Sequence, residues 1–282
     1  MVRLFALALG ASLLAAYPLA ARAGNLPDTS LNNVSSYALE AGQATIDLGG
    51  RYFGSGDFAW SASTQLGIGA GFQASVAFNS FEADNDDTLG TDWVTSRWNG
   101  FELAIKKNLI DNEEGALGVQ VEAELRNSKT IIETTRVSTV DSSTVWSFAI
   151  PVAWNARDNV QVQGTLKTAF FPGDLRNSEG ATVEGFGTLI GATLGAAITL
   201  TDQLSIAGDA TAILTGDNSI TDDTGNPGDQ VTWSASAIWH ATDRVRAEAF
   251  LTNSGGTSVV TSLLGASGTD SVFAGLRFGY SF

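Results

Sequence analysis

Residues 271–282 alternate between apolar and polar side chains up to the last residue of the chain. The even-numbered positions, from Val272 to Phe282, are all apolar or aromatic, and the odd-numbered positions are small or polar except Phe273. A period of two predicts a β-strand with one apolar face. Soluble domains rarely end on such a strand, whereas the last strand of a membrane barrel ends where aromatic side chains meet the interface. The chain end therefore favours a membrane-spanning barrel.

Residues 1–23 have the form of a secretory signal. Arg3 is followed by an apolar run over residues 4–16, and the small-residue site Ala21-Arg22-Ala23 precedes Gly24. The apolar run is shorter than the ~20 residues that a transmembrane helix needs. We therefore expect export, with cleavage after Ala23.

Composition narrows the function classes. The chain has 15 basic and 30 acidic residues, so loss of the two signal arginines changes its net charge from −15 to about −17. Such a charge argues against nucleic acid as a partner. The absence of cysteine excludes disulfides and thiolate chemistry. No cofactor is expected.

The remaining residues predict an all-β fold. After the signal there is no apolar run long enough for a helical span, so a membrane protein of this sequence must cross as a closed barrel. Period-two segments repeat along residues 44–282 and predict a single antiparallel transmembrane β-barrel of about twelve strands, with ten or fourteen as alternatives. An even number of strands puts both termini on one side, which we expect to be periplasmic. Residues 24–43 are a short periplasmic lead or a segment tucked into the lumen.

A soluble β-sandwich or lipocalin-like barrel would also alternate. Its apolar face would be packed inward, and the many glycine, serine, glutamine and charged positions would not then form a coherent second face. The membrane barrel is therefore the favoured interpretation.

The polar faces of the predicted strands carry charged residues that must be hydrated or paired. These lumen-facing candidates are Asp47, Arg51, Glu102, Lys106, Glu122, Glu124, Arg126, Lys167, Asp209, Arg246, Glu248 and Arg277. Closure of the sheet is expected to bring Arg277 between Glu248 and either Asp47 or Arg51. Lys106 and Glu102 are expected to face the glutamates of the next strand.

The apolar faces carry aromatic residues suited to the two membrane interfaces. The candidate girdle consists of Trp60, Trp146, Trp154, Trp233, Trp239 and Tyr280. Trp146 and Trp154 are eight residues apart on one face, which corresponds to about 20 Å along the membrane normal in a tilted strand. They are expected to mark opposite interfaces.

The pattern Phe278, Tyr280 and Phe282 at the chain end resembles the C-terminal signature of bacterial outer-membrane β-barrels of the porin-like and transporter-like kind. The resemblance implies a location in the outer membrane, contact with its lipids and lipopolysaccharide, and recognition of this segment by the barrel assembly machinery.

For function, the charged lumen favours a channel for passive diffusion of small hydrophilic solutes or ions. The alternatives are a non-conducting structural or adhesive barrel and an outer-membrane lipid hydrolase. The single histidine, His240, is expected to face inward at the periplasmic side, and no serine has a recognisable nucleophile context, so no enzymatic activity is predicted. An autotransporter is disfavoured because only about 20 residues precede the first strand.

No metal site is predicted. The acidic segments 84–87 and 217–229 lack the ligand spacing of a dedicated calcium loop. We interpret them as solvated loops, or as loops that share divalent ions with lipopolysaccharide.

Overall fold

A computed structural model describes most of the chain outside its first residues. It covers residues 28–52, 58–83, 93–132, 137–171, 175–176, 182–183, 187–220, 227–265 and 272–282. The predicted signal over residues 1–23, the acidic segment 84–87 and part of the segment 217–229 lie outside the described residues.

Twelve strands of the described chain close into one antiparallel barrel. They are β1 (Ala44–Tyr52), β2 (Phe58–Gly69), β3 (Phe72–Ala83), β4 (Trp93–Asn112), β5 (Gly115–Ile132), β6 (Val137–Arg157), β7 (Val160–Phe170), β8 (Thr188–Thr201), β9 (Leu204–Thr215), β10 (Thr232–His240), β11 (Val245–Thr252) and β12 (Phe273–Ser281). Each strand pairs with the next, and β1 pairs with β12. The predicted twelve-stranded antiparallel barrel is confirmed.

Two short two-stranded sheets lie outside the barrel sheet. One pairs Leu175–Arg176 with Thr182–Val183, and the other pairs Ser219–Ile220 with Pro227–Gly228. Both occur in the longer connections that follow β7 and β9. The two ends of the barrel are therefore unequal, with tight turns at one end and longer connections at the other.

The tight turns lie at the end of the barrel where β1 begins and β12 ends. Thr45 of β1 pairs with Ser281 of β12, so the first and last strands begin and end together. At the same end, β2 and β3 are joined through Gly69, Ala70 and Gly71, whose φ angles of +107°, +51° and +75° form a tight left-handed turn. We call this end the turn end and the other the loop end.

Period-two alternation separates an apolar outer face from a polar inner face. In β10, Thr232, Ser234 and Ser236 are buried, while Ala235 and Trp239 are exposed. Large apolar side chains are exposed around the wall, up to 71% for Leu194. A soluble monomer does not leave so many large apolar side chains in water, whereas a barrel wall in lipid requires them. Among the described residues, no helix is long and apolar enough to span a membrane.

Two segments enter the barrel from opposite ends. Residues 28–43 run inside the wall from the turn end, and Leu31, Tyr37 and Leu39 are buried there. From the loop end, residues 253–265 fold inward around the short helix α1 (Val259–Leu263), all five residues of which are buried. The loop folds inward because its apolar residues pack on an apolar patch of the inner wall.

Candidate functional site: the barrel lumen

The charged residues expected in the lumen lie on the inner face. Nine of the twelve are buried, and Arg126, Arg246 and Arg277 are partly exposed. The aromatic residues of the expected girdle lie on the outer face. Trp154, Trp239 and Tyr280 lie near the turn end of their strands, and Trp60 and Trp233 lie near the loop end of theirs.

A seam of ion pairs follows the junction of β11, β12 and β1. Arg277 pairs with Glu248, with Nε 2.7 Å from Oε2. Arg246 pairs with Asp47 across the junction, with a guanidinium nitrogen 2.6 Å from Oδ1. Arg277 lies opposite Glu248 in the ladder between β11 and β12, and opposite Gly49 in the ladder between β1 and β12. Asp47 therefore pairs with Arg246 and not with Arg277. Each charge on this seam has an opposite charge beside it.

Residues 28–43 are held by hydrogen bonds from the inner wall. The Asn32 backbone N–H and side-chain amide donate to the two carboxylate oxygens of Asp209, at 3.0 and 2.8 Å. Lys167 donates to the Asn32 carbonyl. The Ser30 N–H donates to Gln163 Oε1 at 2.9 Å, and the Leu39 N–H donates to Gln73 Oε1 at 3.0 Å. The inner wall thus satisfies the backbone of a segment that has no regular secondary structure.

Lys106 does not reach the glutamates of β5. The ladder places it opposite Gln120, and its ammonium group donates to the carbonyls of Ser35 and Tyr37. Burial raises the pKa of the Tyr37 phenol above its usual value, and the nearby charge of Asp111 acts in the same direction. Tyr37 therefore contributes a neutral hydroxyl, which accepts from the Gln161 amide at 3.3 Å.

His240 lies at the turn end and contacts the inserted segment. Its Nε2 is 3.0 Å from both carboxylate oxygens of Asp28. Within the described part of the chain, no serine hydroxyl forms a hydrogen bond with His240. The arrangement is an ion pair or hydrogen bond that fastens the entry of residues 28–43, and it lacks the nucleophile of a serine hydrolase.

Helix α1 forms because its ends and faces are satisfied locally. Ser258 caps the helix by accepting from the Thr261 N–H, and the Thr261 hydroxyl accepts from the Ser258 N–H in return, which completes a capping box. Val260, Leu263 and Leu264 pack on inward-facing apolar residues of the wall. This inner apolar patch consists of Val145, Ala169 and Leu189, with Phe171 and Ile213 at its margin.

Polar wall residues fix the inserted loop on its other sides. The Arg51 guanidinium donates to the carbonyls of Ser254 and Gly255, at 2.9 and 2.7 Å. The Asn218 amide donates to the Leu263 carbonyl at 2.8 Å, and the Thr232 hydroxyl donates to the Ser262 carbonyl at 3.0 Å. The loop is thus held from β1, from β10 and from the connection after β9.

The two inserted segments meet inside the barrel. The Ser254 hydroxyl donates to Asn32 Oδ1 at 2.7 Å. Lys167 contacts both segments, because it donates to the Asn32 carbonyl and to Ser262 Oγ. The lumen is therefore crossed by one continuous hydrogen-bonded unit made from both segments.

A polar cavity of about 220 Å³ remains beside this unit. Its wall is formed mainly by β1 to β5 and β12, with small or uncharged polar residues such as Ser61, Ser63, Gln65 and Ser75. Its described lining reaches from His240 at the turn end to residues 257–259 of the inserted loop. Its charged lining includes Asp47, Glu102, Lys106, Arg246 and Arg277.

Sequence reasoning missed several uncharged groups that bind the inserted segments or lie within them. Asn32, Gln163, Ser254 and Ser262 look like ordinary polar residues in the sequence. One signal was present: the run Val259-Val260-Thr261-Ser262-Leu263-Leu264 is apolar at helical spacing within an otherwise polar loop. Such a run in a connection needs an apolar partner, and the inward Leu189 provides part of it.

Comparison with known proteins identifies the fold. No protein-family model matches the chain, and no curated protein matches it. Among solved structures, it is similar to an outer-membrane channel from Pseudomonas putida F1, with a TM-score of 0.55, 12% identity, and coverage of 88% of this chain and 98% of the other. It is also similar to the porin NanC, with a TM-score of 0.54, 10% identity, and coverage of 83% and 98%.

A third similar structure is the translocator domain of the autotransporter NalP from Neisseria meningitidis. Its TM-score is 0.54 at 12% identity, with coverage of 86% of this chain and 89% of the other. At such identities the likeness is one of fold alone. The predicted outer-membrane type of β-barrel is confirmed by this fold, which together with the exposed apolar wall supports an outer-membrane location.

Proposed function

We propose that the protein is an outer-membrane channel for passive diffusion of small hydrophilic solutes or ions, closed in the described conformation by residues 253–265. The observation that carries the proposal is the polar cavity, which runs from the turn end to the inserted loop. Similar folds that are porins or channels agree with it. The turn end, where β1 begins and β12 ends, is taken to face the periplasm.

The chemistry of the cavity suits hydrated solutes. Its uncharged lining offers hydroxyl and amide groups that can replace water, and its charges are of both signs. Arg277 and Arg246 lie at one side, while Glu102 lies near the closed end. A path of this kind favours polar solutes over apolar ones and orients dipolar ones.

Closure is a property of the inserted loop. Among the described residues, the cavity lining ends at residues 257–259, and the loop is held there by Arg51 and by the inner apolar patch. Each fully buried Val or Leu side chain contributes about 1.5–3 kcal/mol. Opening therefore needs displacement of α1, and open channels are expected to be a minor population.

Partners follow from the same proposal. The apolar wall would contact outer-membrane lipids and, at the loop end, lipopolysaccharide. The barrel assembly machinery would recognise the C-terminal residues Phe278, Tyr280 and Phe282. Residues 1–23 would be removed on export.

The second candidate is a non-conducting structural or adhesive barrel. It is favoured by the two inserted segments, which leave only the 220 Å³ cavity. Reconstitution of the purified protein in planar bilayers separates the two. Current steps whose ion selectivity shifts toward cations in Arg277→Ala would support the channel, with the lipid-facing Leu276→Ala as a matched control. Absence of steps under all voltages would favour the structural barrel.

A further inference from the structure

Three glutamates converge at the closed end of the cavity. Glu102 lies on β4, and Glu122 and Glu124 lie on β5; the ladder pairs Glu102 with Glu124 and Ala104 with Glu122. One carboxylate oxygen from each lies within 4.8 Å of the others. None of the three is more than 5% exposed. Like charges so close together in the interior need compensation.

Hydrogen bonds supply only part of the compensation that the three carboxylates need. The Asn79 amide donates to Glu102, and the Gln120 amide donates to Glu122 Oε2 at 3.3 Å. Both carboxylate oxygens of Glu124 and the Oε1 atom of Glu122 are buried and accept no hydrogen bond from the part of the chain that the structure describes. Buried acceptors of this kind are costly unless another group reaches them.

Most of the basic groups near the three glutamates bind other partners. Lys106 donates to carbonyls of the inserted segment, and Lys167 donates to Asn32 and Ser262. Arg126 interacts with Glu124 and also lies over the Phe171 ring, 5.7 Å from its centroid. One adjacent guanidinium does not balance three carboxylates.

A neutral side-chain oxygen, the hydroxyl of Ser147, also lies beside these carboxylates. Ser147 on β6 is opposite Glu122 in the ladder, and its side chain is fully buried on the inner face. Its hydroxyl lies next to the Glu122 carboxylate but has no partner at hydrogen-bonding geometry among the described residues. A buried hydroxyl without a partner beside unpartnered carboxylate oxygens indicates that a further group belongs between them.

We propose that Glu102, Glu122 and Glu124, together with the Ser147 hydroxyl, bind one divalent cation of the Ca²⁺ class inside the barrel. All four ligands are hard oxygen donors, which such cations prefer. Three oxygens that lie within 4.8 Å of one another lie within about 2.8 Å of a common centre, close to the 2.3–2.6 Å of a Ca–O bond. One ion can therefore reach all three carboxylates after small shifts of their side chains.

The site adjoins the inserted loop. The Ser258 hydroxyl lies beside Glu102, and the Val259 backbone amide lies beside Glu122. A bound cation would hold these carboxylates in the arrangement against which the start of α1 packs. This role of the ion in keeping the path closed rests on the proposed channel function, whereas binding itself does not.

Binding is tested by isothermal titration calorimetry on protein that has been folded in detergent, free of lipopolysaccharide, treated with chelator and titrated with CaCl₂. We expect one ion per chain, and an affinity at least tenfold weaker in Glu124→Gln. Glu114→Gln, in the exposed turn after β4, is the matched control and should bind like the wild type. If Glu124→Gln does not fold, Glu122→Gln replaces it.

The proposal is overturned if the wild type binds no stoichiometric Ca²⁺, or if the glutamine variants of the site bind it as well as the Glu114→Gln control. Hydrogen exchange over residues 253–265 then tests the link to the loop. It should be slower with Ca²⁺ in the wild type and unchanged by Ca²⁺ in Glu124→Gln. Equal exchange in both would overturn the link to closure, and bilayer conductance would still be measured separately.

Discussion

Ser254 and Asn32 join a loop that enters the barrel from one end to a segment that enters from the other. The hydroxyl of Ser254 donates to Asn32 Oδ1 at 2.7 Å, while the Asn32 amide donates to Asp209 on the wall. Asn32 is thus bonded to the loop and to β9 at once. Because both are buried, release of one inserted segment removes hydrogen bonds from the other, and the two are expected to move together.

Replacement of Asn32 by alanine should loosen the inserted loop although Asn32 lies outside it. The change removes the side-chain hydrogen bonds of Asn32 to Asp209 Oδ1 and from Ser254, at a cost of about 1–3 kcal/mol. The chain has no cysteine, so the rate of thiol labelling at Thr257→Cys reports opening directly. We expect labelling to be roughly 5- to 150-fold faster in the Asn32→Ala background. Asn159→Ala, at an exposed turn, is the control, and equal rates in both would show that the two segments are independent.

Leu263→Ala should open the path from the other side. Leu263 is fully buried against the inner apolar patch, and truncation of a buried leucine costs about 2–5 kcal/mol. Because the lost contacts stabilise the docked position of the loop, the open population and the single-channel open time should both rise. Leu276→Ala removes the same atoms from the lipid-facing wall and should leave gating unchanged. An unaltered open time in Leu263→Ala would contradict the assignment of the loop as the closing element.

The ion pair of Glu248 with Arg277 should show strong coupling. Glu248 is 1% exposed, and loss of one partner of a buried pair costs about 3–5 kcal/mol because the other charge is left uncompensated. Urea unfolding in detergent should therefore find Glu248→Ala and Arg277→Ala each strongly destabilised. The double variant should be less destabilised than the sum of the two. Additive losses would mean that the pair does not act as a unit.

Substitutions on the two faces of the closing strand should affect different properties, with the aromatic face affecting assembly and the polar face affecting the lumen. Phe282 stacks edge-on against Tyr280, with ring centroids 4.7 Å apart, and its N–H donates to the Ala44 carbonyl at 2.8 Å. Phe282→Ala should lower the amount of barrel recovered in the outer membrane of expressing cells. Arg277→Lys, which keeps a positive charge beside Glu248, should reach the membrane at near wild-type levels. Equal recovery of both variants would argue against Phe282 as part of an assembly signal.

The barrel and its two faces could be predicted because they follow from a local rule. A period of two assigns every residue of a strand to one face, so Glu248 and Arg277 on neighbouring strands were expected to meet, and they do. The contents of the lumen follow no such rule. Lys106 was expected to face glutamates, yet it bonds the Ser35 and Tyr37 carbonyls of a segment whose sequence carries no periodic signal.

The inserted loop was missed for a related reason. Its apolar run is short, and its partner on the wall is assembled from Val145, Ala169 and Leu189 on three different strands. Only the folded sheet brings these three positions together. The capping box at Ser258 and Thr261 can be recognised in the sequence because its residues are close together. It predicts that a helix begins there, but not where that helix lies in the barrel.

The most direct test of the account is the single-channel conductance of a variant without the closing element. Ser254 and Gly265 form a β-bridge, and the Gly255 N–H donates to the Leu264 carbonyl at 2.7 Å, so residues 256–263 can be replaced by a two-residue Asn-Gly turn. The wild type should show rare or brief openings in planar bilayers, and the shortened variant should show long-lived steps of larger mean current. Folded protein that gives no steps in either form, or the same record in both, would contradict a channel closed by residues 253–265.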